Sequence, residues 1–178
     1  MGEALAQINI MRNVDMRPQW YVAYTLSRHE KSVADRLISQ NVETYLPLYS
    51  LAHTWNRRRV EVELPLFPGY VFVKMIIADR VRVLAHPGVI RLVGFNGSAV
   101  ALPDGEIERL RLSLATWKAE PYPFLTAGKQ VKIKSGLFAG FEGRIIRRKG
   151  KMRLIVSLEL IQSAILLEMD AAEAQLAS

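Results

Sequence analysis

The side chains able to do chemistry in this 178-residue chain are cations and aromatics, not nucleophiles or metal ligands. Cysteine is absent, which removes thiolate metal sites, disulfide scaffolds and Cys nucleophiles together and fits a reducing cytoplasm. His29, His53 and His86 stand far apart without metal-ligand spacing, and a helix surface, a hairpin surface and a pre-proline turn account for them. Neither a phosphate-cradling glycine–lysine motif nor a nucleophile elbow occurs, so no catalytic residue, metal or cofactor is expected. Lys and Arg number 24 against 17 for Asp and Glu, and the net charge of +7 suits phosphate backbones or acidic protein faces as well as plain solubility. Arg57, Arg58 and Arg59 at a hairpin tip can reach a nucleic-acid backbone or shield a sheet edge. Arg144, Arg147, Arg148, Lys149, Lys151 and Arg153 surround Gly150, where a cationic loop can engage RNA or an acidic protein, or simply be solvated.

These groups need a scaffold, and the hydrophobic rhythm supplies one. Trp20 to Tyr24 is an apolar and aromatic run suited to a buried strand. Ser27 and Glu30 have capping-box spacing, and Val33, Ala34, Leu37 and Ile38 then recur at helical spacing until Asn41. Val42 to Leu48 reads as a second strand. From Leu51 to Leu66, Val60, Val62 and Leu64 alternate with Glu61 and Glu63 in a hairpin tipped by Asn56 to Arg59. Pro68-Gly69 feeds Tyr70 to Met75, whose near-absence of polar residues predicts a central strand covered on both faces. Asp79 can cap a short helix presenting Val81, Leu84 and Ala85 on one side, and Asn96-Gly97 turns a strand running from Arg91 to Phe95. Asp104 can open a helix with Ile107, Leu110 and Leu114 at helical spacing. Periodicity fails between Thr116 and Gly128, where Pro121 and Pro123 mark a linker. Beyond it, short strands with glycine-rich turns describe a small barrel of SH3-like size. No stretch has signal-peptide or membrane-spanning character, so a soluble cytoplasmic protein is expected.

Three ordered motifs carry a resemblance: Trp20-Tyr21-Val22, the string Pro65 to Val73, and the Gly136-to-Gly143 turn with Phe138 and Phe141. Together they resemble the NusG family of transcription elongation and antitermination factors. The resemblance implies an α+β fold: an N-terminal NusG-type sheet flanked by helices over 20–115, after a flexible tail at 1–19, then a linker at 116–125 and a C-terminal SH3-like KOW barrel over 126–178. It implies binding to the clamp helices of the largest RNA polymerase subunit, disfavouring pausing or termination, through Tyr24, Tyr70, Phe72, Phe95 and Ile107. From the helix surface Arg28, His29, Lys31 and Arg36 can contact non-template DNA, and nascent RNA is a second possible strand. The barrel, through Phe138, Phe141 and Ile161, is expected to recruit a ribosomal protein or termination factor Rho. Ile161 falls where housekeeping members have an aromatic used against Rho, and Gln162 replaces a turn glycine, which favours the ribosomal partner. Pro65 to Pro68 and the compact hairpin resemble the specialised RfaH-like paralogues, whose barrel can rest as a helical hairpin, although Asp79-Arg80-Val81 and Leu26 to Ser32 depart from their pattern. A monomer is expected. Two rivals stay open, a ribosome-associated RNA-binding KOW protein and an enzyme with a dispersed acid–base site.

Overall fold

The computed structural model describes residues 16–55, 58–122, 131–132, 142–148 and 151–169. Its first layer is a four-stranded sheet built from β1 (Gln19–Thr25), β2 (Glu43–Tyr45), β5 (Tyr70–Met75) and β6 (Val89–Leu92), in the order β2-β5-β1-β6. β5 is thus an interior strand, as its unbroken apolar run requires, and it runs antiparallel to β1 with Tyr24 opposite Tyr70 and Val22 opposite Phe72. Because strand side chains alternate, this pairing sorts residues into two cores. Tyr21, Ala23, Val71, Val73 and Met75 pack with Val33, Ala34 and Leu37 of helix α1 (Glu30–Ser39) and with Val83 of α2 (Arg80–Leu84). Trp20, Val22 and Phe72 pack on the other side with Leu66, Phe67, Val93, Leu102, and with Ile107 and Leu110 of α3 (Glu106–Thr116).

A separate ribbon, β3 (Leu48–Trp55) with β4 (Arg58–Pro65), pairs Leu48 with Pro65 and Trp55 with Arg58. A second small ribbon, β7 (Gly94–Phe95) with β8 (Ser98–Ala99), turns at Asn96 and Gly97, both with positive φ, the conformation a two-residue hairpin turn demands. After α3 the chain enters a five-stranded sheet of β9 (Ala119–Tyr122), β10 (Val131–Lys132), β11 (Glu142–Arg148), β12 (Lys151–Leu158) and β13 (Ser163–Met169), ordered β10-β11-β12-β13-β9. Among the described residues this sheet does not close into a barrel. One apolar cluster runs through both parts: Val156, Leu158, Ile161, Ile165 and Leu167 share it with Trp20, Phe72, Ile107 and Leu110.

Tertiary contacts overrode several local signals. The Ser27–Glu30 capping box does not form: His29 occupies the N-cap of α1 without a side-chain bond, and Glu30 turns inward to Gly69. In α2 the buried residue is Val83, while Val81 is 67% exposed and Leu84 is also exposed, so the helix rests on the sheet by the opposite face. Gly105, with φ of +76°, takes the N-cap of α3 in place of Asp104. Part of the stretch read as linker, Ala119–Tyr122, is the strand β9, pairing with β13 from Leu167↔Ala119 to Ala164↔Tyr122. The described part of the C-terminal stretch is strand apart from a 3-10 turn at Glu159–Ile161, with no helical hairpin, and Gln162, standing in for a turn glycine, has φ of +47°.

Candidate functional site

Tyr24 and Tyr70 project side by side from β1 and β5, their ring centroids 5.5 Å apart and tilted by 42°. Both are half-buried against the larger apolar cluster, which leaves a fixed aromatic surface with one face available. The turn before Tyr70 is set by Gly69, whose φ of +84° suits glycine and whose missing Cβ would lie 3.3 Å from Tyr24 Cε2. The Gly69 amide donates to Glu30 Oε1 at 2.7 Å, and the Gly69 carbonyl accepts from the Thr25 amide at 2.8 Å. Arg91, opposite Tyr24 on β6, holds its guanidinium 5.4 Å from the Tyr24 ring centroid. Burial pushes the Tyr70 phenol above its ordinary value, neighbouring Tyr24 adds to this, and Arg91 opposes it, so the hydroxyl remains a donor at neutral pH.

The other residues expected in this patch lie elsewhere. Phe72 is fully buried in edge contact with Phe67, centroids 5.7 Å apart, and Ile107 is fully buried on α3. A partner reaches neither while the chain holds this arrangement; they shape the patch from below. Phe95 is 68% exposed at the tip of the β7–β8 ribbon and is not packed against the cluster holding the tyrosines.

Beside Phe72, a cation–aromatic network ties α3 to the sheet. Arg111 lies 5.1 Å from the Trp20 ring and 4.6 Å from Tyr45, Lys74 lies 5.7 Å from Trp20, and Glu43 pairs with Lys74 at 3.3 Å and Arg111 at 3.9 Å. The Trp20 indole donates to Glu108 at 3.1 Å. Burial works to raise Glu108, but a backbone hydrogen bond, the Trp20 indole, Lys74 and Arg111 together hold it below its ordinary value.

Across β1 from the tyrosines, a cleft of about 550 Å³ opens between α1 and the loop after α2. Its wall carries His29, Ser32, Arg36, Gln40, Arg82 and His86 and, among the described residues, no carboxylate. The Gly88 amide donates to His86 Nδ1 at 2.9 Å, which makes that nitrogen an acceptor and leaves the proton on Nε2. His29 Nδ1 stands 3.1 Å from the Ser27 carbonyl and must be its donor. Arg82 Nη2 donates to the Gln40 carbonyl at 2.6 Å. An acid-free wall of imidazoles, guanidinium groups and a hydroxyl suits a phosphodiester with an attached base. Of the cations expected to face nucleic acid, His29 and Arg36 line this cleft, whereas exposed Arg28 (φ +65°) and Lys31 do not. Lys31 Nζ donates instead to the Glu63 carbonyl at 2.9 Å, joining α1 to the β3–β4 ribbon. Arg59 is exposed on β4, Arg58 contributes backbone pairing with Trp55, and Arg57 lies outside the described residues. The linear pattern left Arg82 unmarked and assigned His86 only to a pre-proline turn, since nothing local says that the loop after α2 folds against α1.

Ile161 is buried in the 3-10 turn between β12 and β13, inside the shared cluster, so it offers no contact surface here. Phe138 and Phe141 lie outside the described residues. Among the described residues no group of three or more His, Cys, Asp or Glu side chains is placed to hold a metal, and no helix is long and apolar enough to cross a membrane.

A paired-aromatic surface on the sheet, with an acid-free cationic cleft between a helix and a loop, suits contact with a macromolecule. The model of the family described as "Transcription termination factor nusG" matches residues 18–111, more than half of the chain and the whole of the first sheet with most of α3. The chain belongs to the NusG family of transcription factors. The transcription termination/antitermination protein NusG of Rickettsia bellii is 26% identical over 164 residues, covering 85% of this chain and 86% of that protein. Its counterpart in Lactococcus lactis is 28% identical over 166 residues, covering 85% and 89%. A solved structure described as domain interaction in Thermotoga maritima NusG superposes with a TM-score of 0.53 at 25% identity, over 89% of this chain and 96% of that one.

Proposed function

We propose that this chain is a transcription elongation or antitermination factor that binds the clamp helices of RNA polymerase and suppresses pausing or termination. Tyr24 and Tyr70 are the anchor, with Phe95 as an outlying contact and Phe72 and Ile107 as the packing beneath. The observation that carries this reading is the half-exposed tyrosine pair, fixed by the Glu30–Gly69 and Thr25–Gly69 hydrogen bonds, in a chain of the NusG family. Rigid aromatics give large contact area at small rotamer cost and dominate interface energetics. A helical pair laid on them would leave the cationic cleft on the opposite side of β1, free for non-template DNA or nascent RNA, with His29 and Arg36 assisted by Arg82 and His86.

The C-terminal segment, 126–178 in this reading a KOW domain, recruits a second partner, a ribosomal protein in preference to Rho. Because Ile161 is buried in the shared cluster, its use in that contact requires the C-terminal sheet to come away from the first part. Capture of bacterial core RNA polymerase by the full chain, with Tyr24→Ala and Tyr70→Ala as paired variants, tests the reading. Saturable binding that each substitution weakens, and that a housekeeping NusG displaces, is the expected outcome. Failure of the wild-type chain to bind polymerase while it binds free RNA tightly would favour a ribosome-associated RNA-binding protein.

A further inference from the structure

Glu30 is the most enclosed acidic residue among the described residues, 4% exposed, and no contact with a partner is assigned to it. Its position on the first turn of α1 suggested a local cap, yet the side chain leaves its own helix and accepts the Gly69 amide at 2.7 Å. Burying a carboxyl group to hold one backbone amide is costly unless that amide must be fixed. The amide belongs to the residue whose positive φ and absent Cβ let the turn pass close to the Tyr24 ring and deliver Tyr70 opposite it. The Gly69 carbonyl is held from the other side by the Thr25 amide, so the peptide groups on both flanks of Gly69 are pinned, one by β1 and one by α1. Thr25 itself is buried, and its hydroxyl has no hydrogen-bond partner among the described residues, so the Thr25 side chain does not take over Glu30's part.

We infer that Glu30 is a positioning residue for the aromatic anchor: its carboxyl oxygen fixes the Pro68-Gly69 turn and thereby the Tyr24–Tyr70 pair. The inference rests on the proposed polymerase contact for its functional consequence, and on the hydrogen bond alone for its structural one. It also places His29, on the cationic cleft, one residue from the group that sets the aromatic surface, so the helix start serves both faces.

The test uses the full chain with Glu30→Gln, which keeps an oxygen acceptor, Glu30→Ala, which removes it, and Glu30→Met, which removes it while filling the space should the alanine variant fail to fold. The Gly69 amide resonance and the proximity of the Tyr24 and Tyr70 rings are read by NMR, and affinity for core RNA polymerase is measured well below each variant's melting temperature. Expected are a shifted Gly69 amide and weakened ring-to-ring signals in Glu30→Met, near wild-type spectra in Glu30→Gln, and polymerase binding weakened about tenfold by Glu30→Met but not by Glu30→Gln. Combined with Tyr70→Ala, Glu30→Met should add almost nothing, because both act on one element. Unchanged ring-to-ring signals in a folded Glu30→Met, or fully additive losses in the double variant, would overturn the inference. If the wild-type chain fails to bind polymerase, the proposed function falls while the NMR readings still decide the role of Glu30.

Discussion

The tyrosine pair and the cationic cleft flank the same short segment, Tyr24 to His29, and they are built in opposite ways. The tyrosines stand on paired strands with a fixed register, over fully buried Phe72, and are tied by backbone hydrogen bonds. The cleft is made of mostly exposed polar side chains on a helix and a loop, some held only by single bonds to carbonyl groups. An apolar contact gains from rigidity, because little entropy is left to lose on binding. A phosphate contact gains from charge and tolerates motion, since counterion release supplies much of its free energy. The two surfaces should therefore respond differently to mutation and to salt.

The largest separation between them comes from the core. Phe72→Ala should cost about 3–5 kcal/mol of stability, seen as a lower denaturation midpoint, because it empties the space beneath the tyrosines. No substitution on the cleft wall should approach that. Next, Tyr70→Ala should weaken polymerase binding by about 2 kcal/mol, roughly thirtyfold, while leaving binding to a single-stranded oligonucleotide unchanged in fluorescence anisotropy. Equal loss of both activities would show that the surfaces are not independent. Gly69→Ala should destabilise by about 1–2 kcal/mol, since it forces a side chain into left-handed backbone against the Tyr24 ring, and circular dichroism melts would register it.

Smaller effects sharpen the cleft side. Arg36→Ala with Arg82→Ala should lower oligonucleotide affinity and flatten its dependence on log salt by about 0.7 for each phosphate no longer neutralised, without changing polymerase capture. The smallest effect is on pH dependence. Glu108 is held below its ordinary value of 4.5 in the folded chain, so its contribution to stability is complete above that pH and is lost as pH falls through the lowered folded value. Glu108→Gln removes that titration and should make the loss of stability below pH 4.5 shallower, measured by urea denaturation at stepped pH. A steeper acid slope would contradict the sign of the shift.

Much of the first sheet could be read from the linear chain because its signals are redundant. The continuous apolar run of Tyr70 to Met75 permits only an interior strand, and Asn96-Gly97 permits a tight hairpin turn. The helix stop at Asn41 was equally legible, since that residue carries φ of +60°. Signals that depend on one local bond fared worse. Ser27 and Glu30 have the spacing of a cap, but packing brings the part-buried Gly69 amide to Glu30 as a partner in its place. In α2, both apolar faces were plausible, and contact with the sheet selected Val83 over Val81.

The site shows the same division. The resemblance to the NusG family marked Tyr24 and Tyr70 as candidate anchors, and the charged side of the first helix marked Arg36 as a candidate phosphate contact. Whether an aromatic is exposed or buried depends on what packs over it, so Phe72 and Ile107 could not be told from the tyrosines in advance. Residue spacing determined the strands, the turns and the order of the elements, because those follow from backbone sterics and the period of hydrophobic residues. Only the tertiary structure brought Arg82 and His86 to Arg36, sent Glu30 to Gly69, and joined the C-terminal sheet to Ile107 and Leu110 in one apolar cluster. Those contacts join residues far apart in the chain, and a linear pattern carries no distance between them.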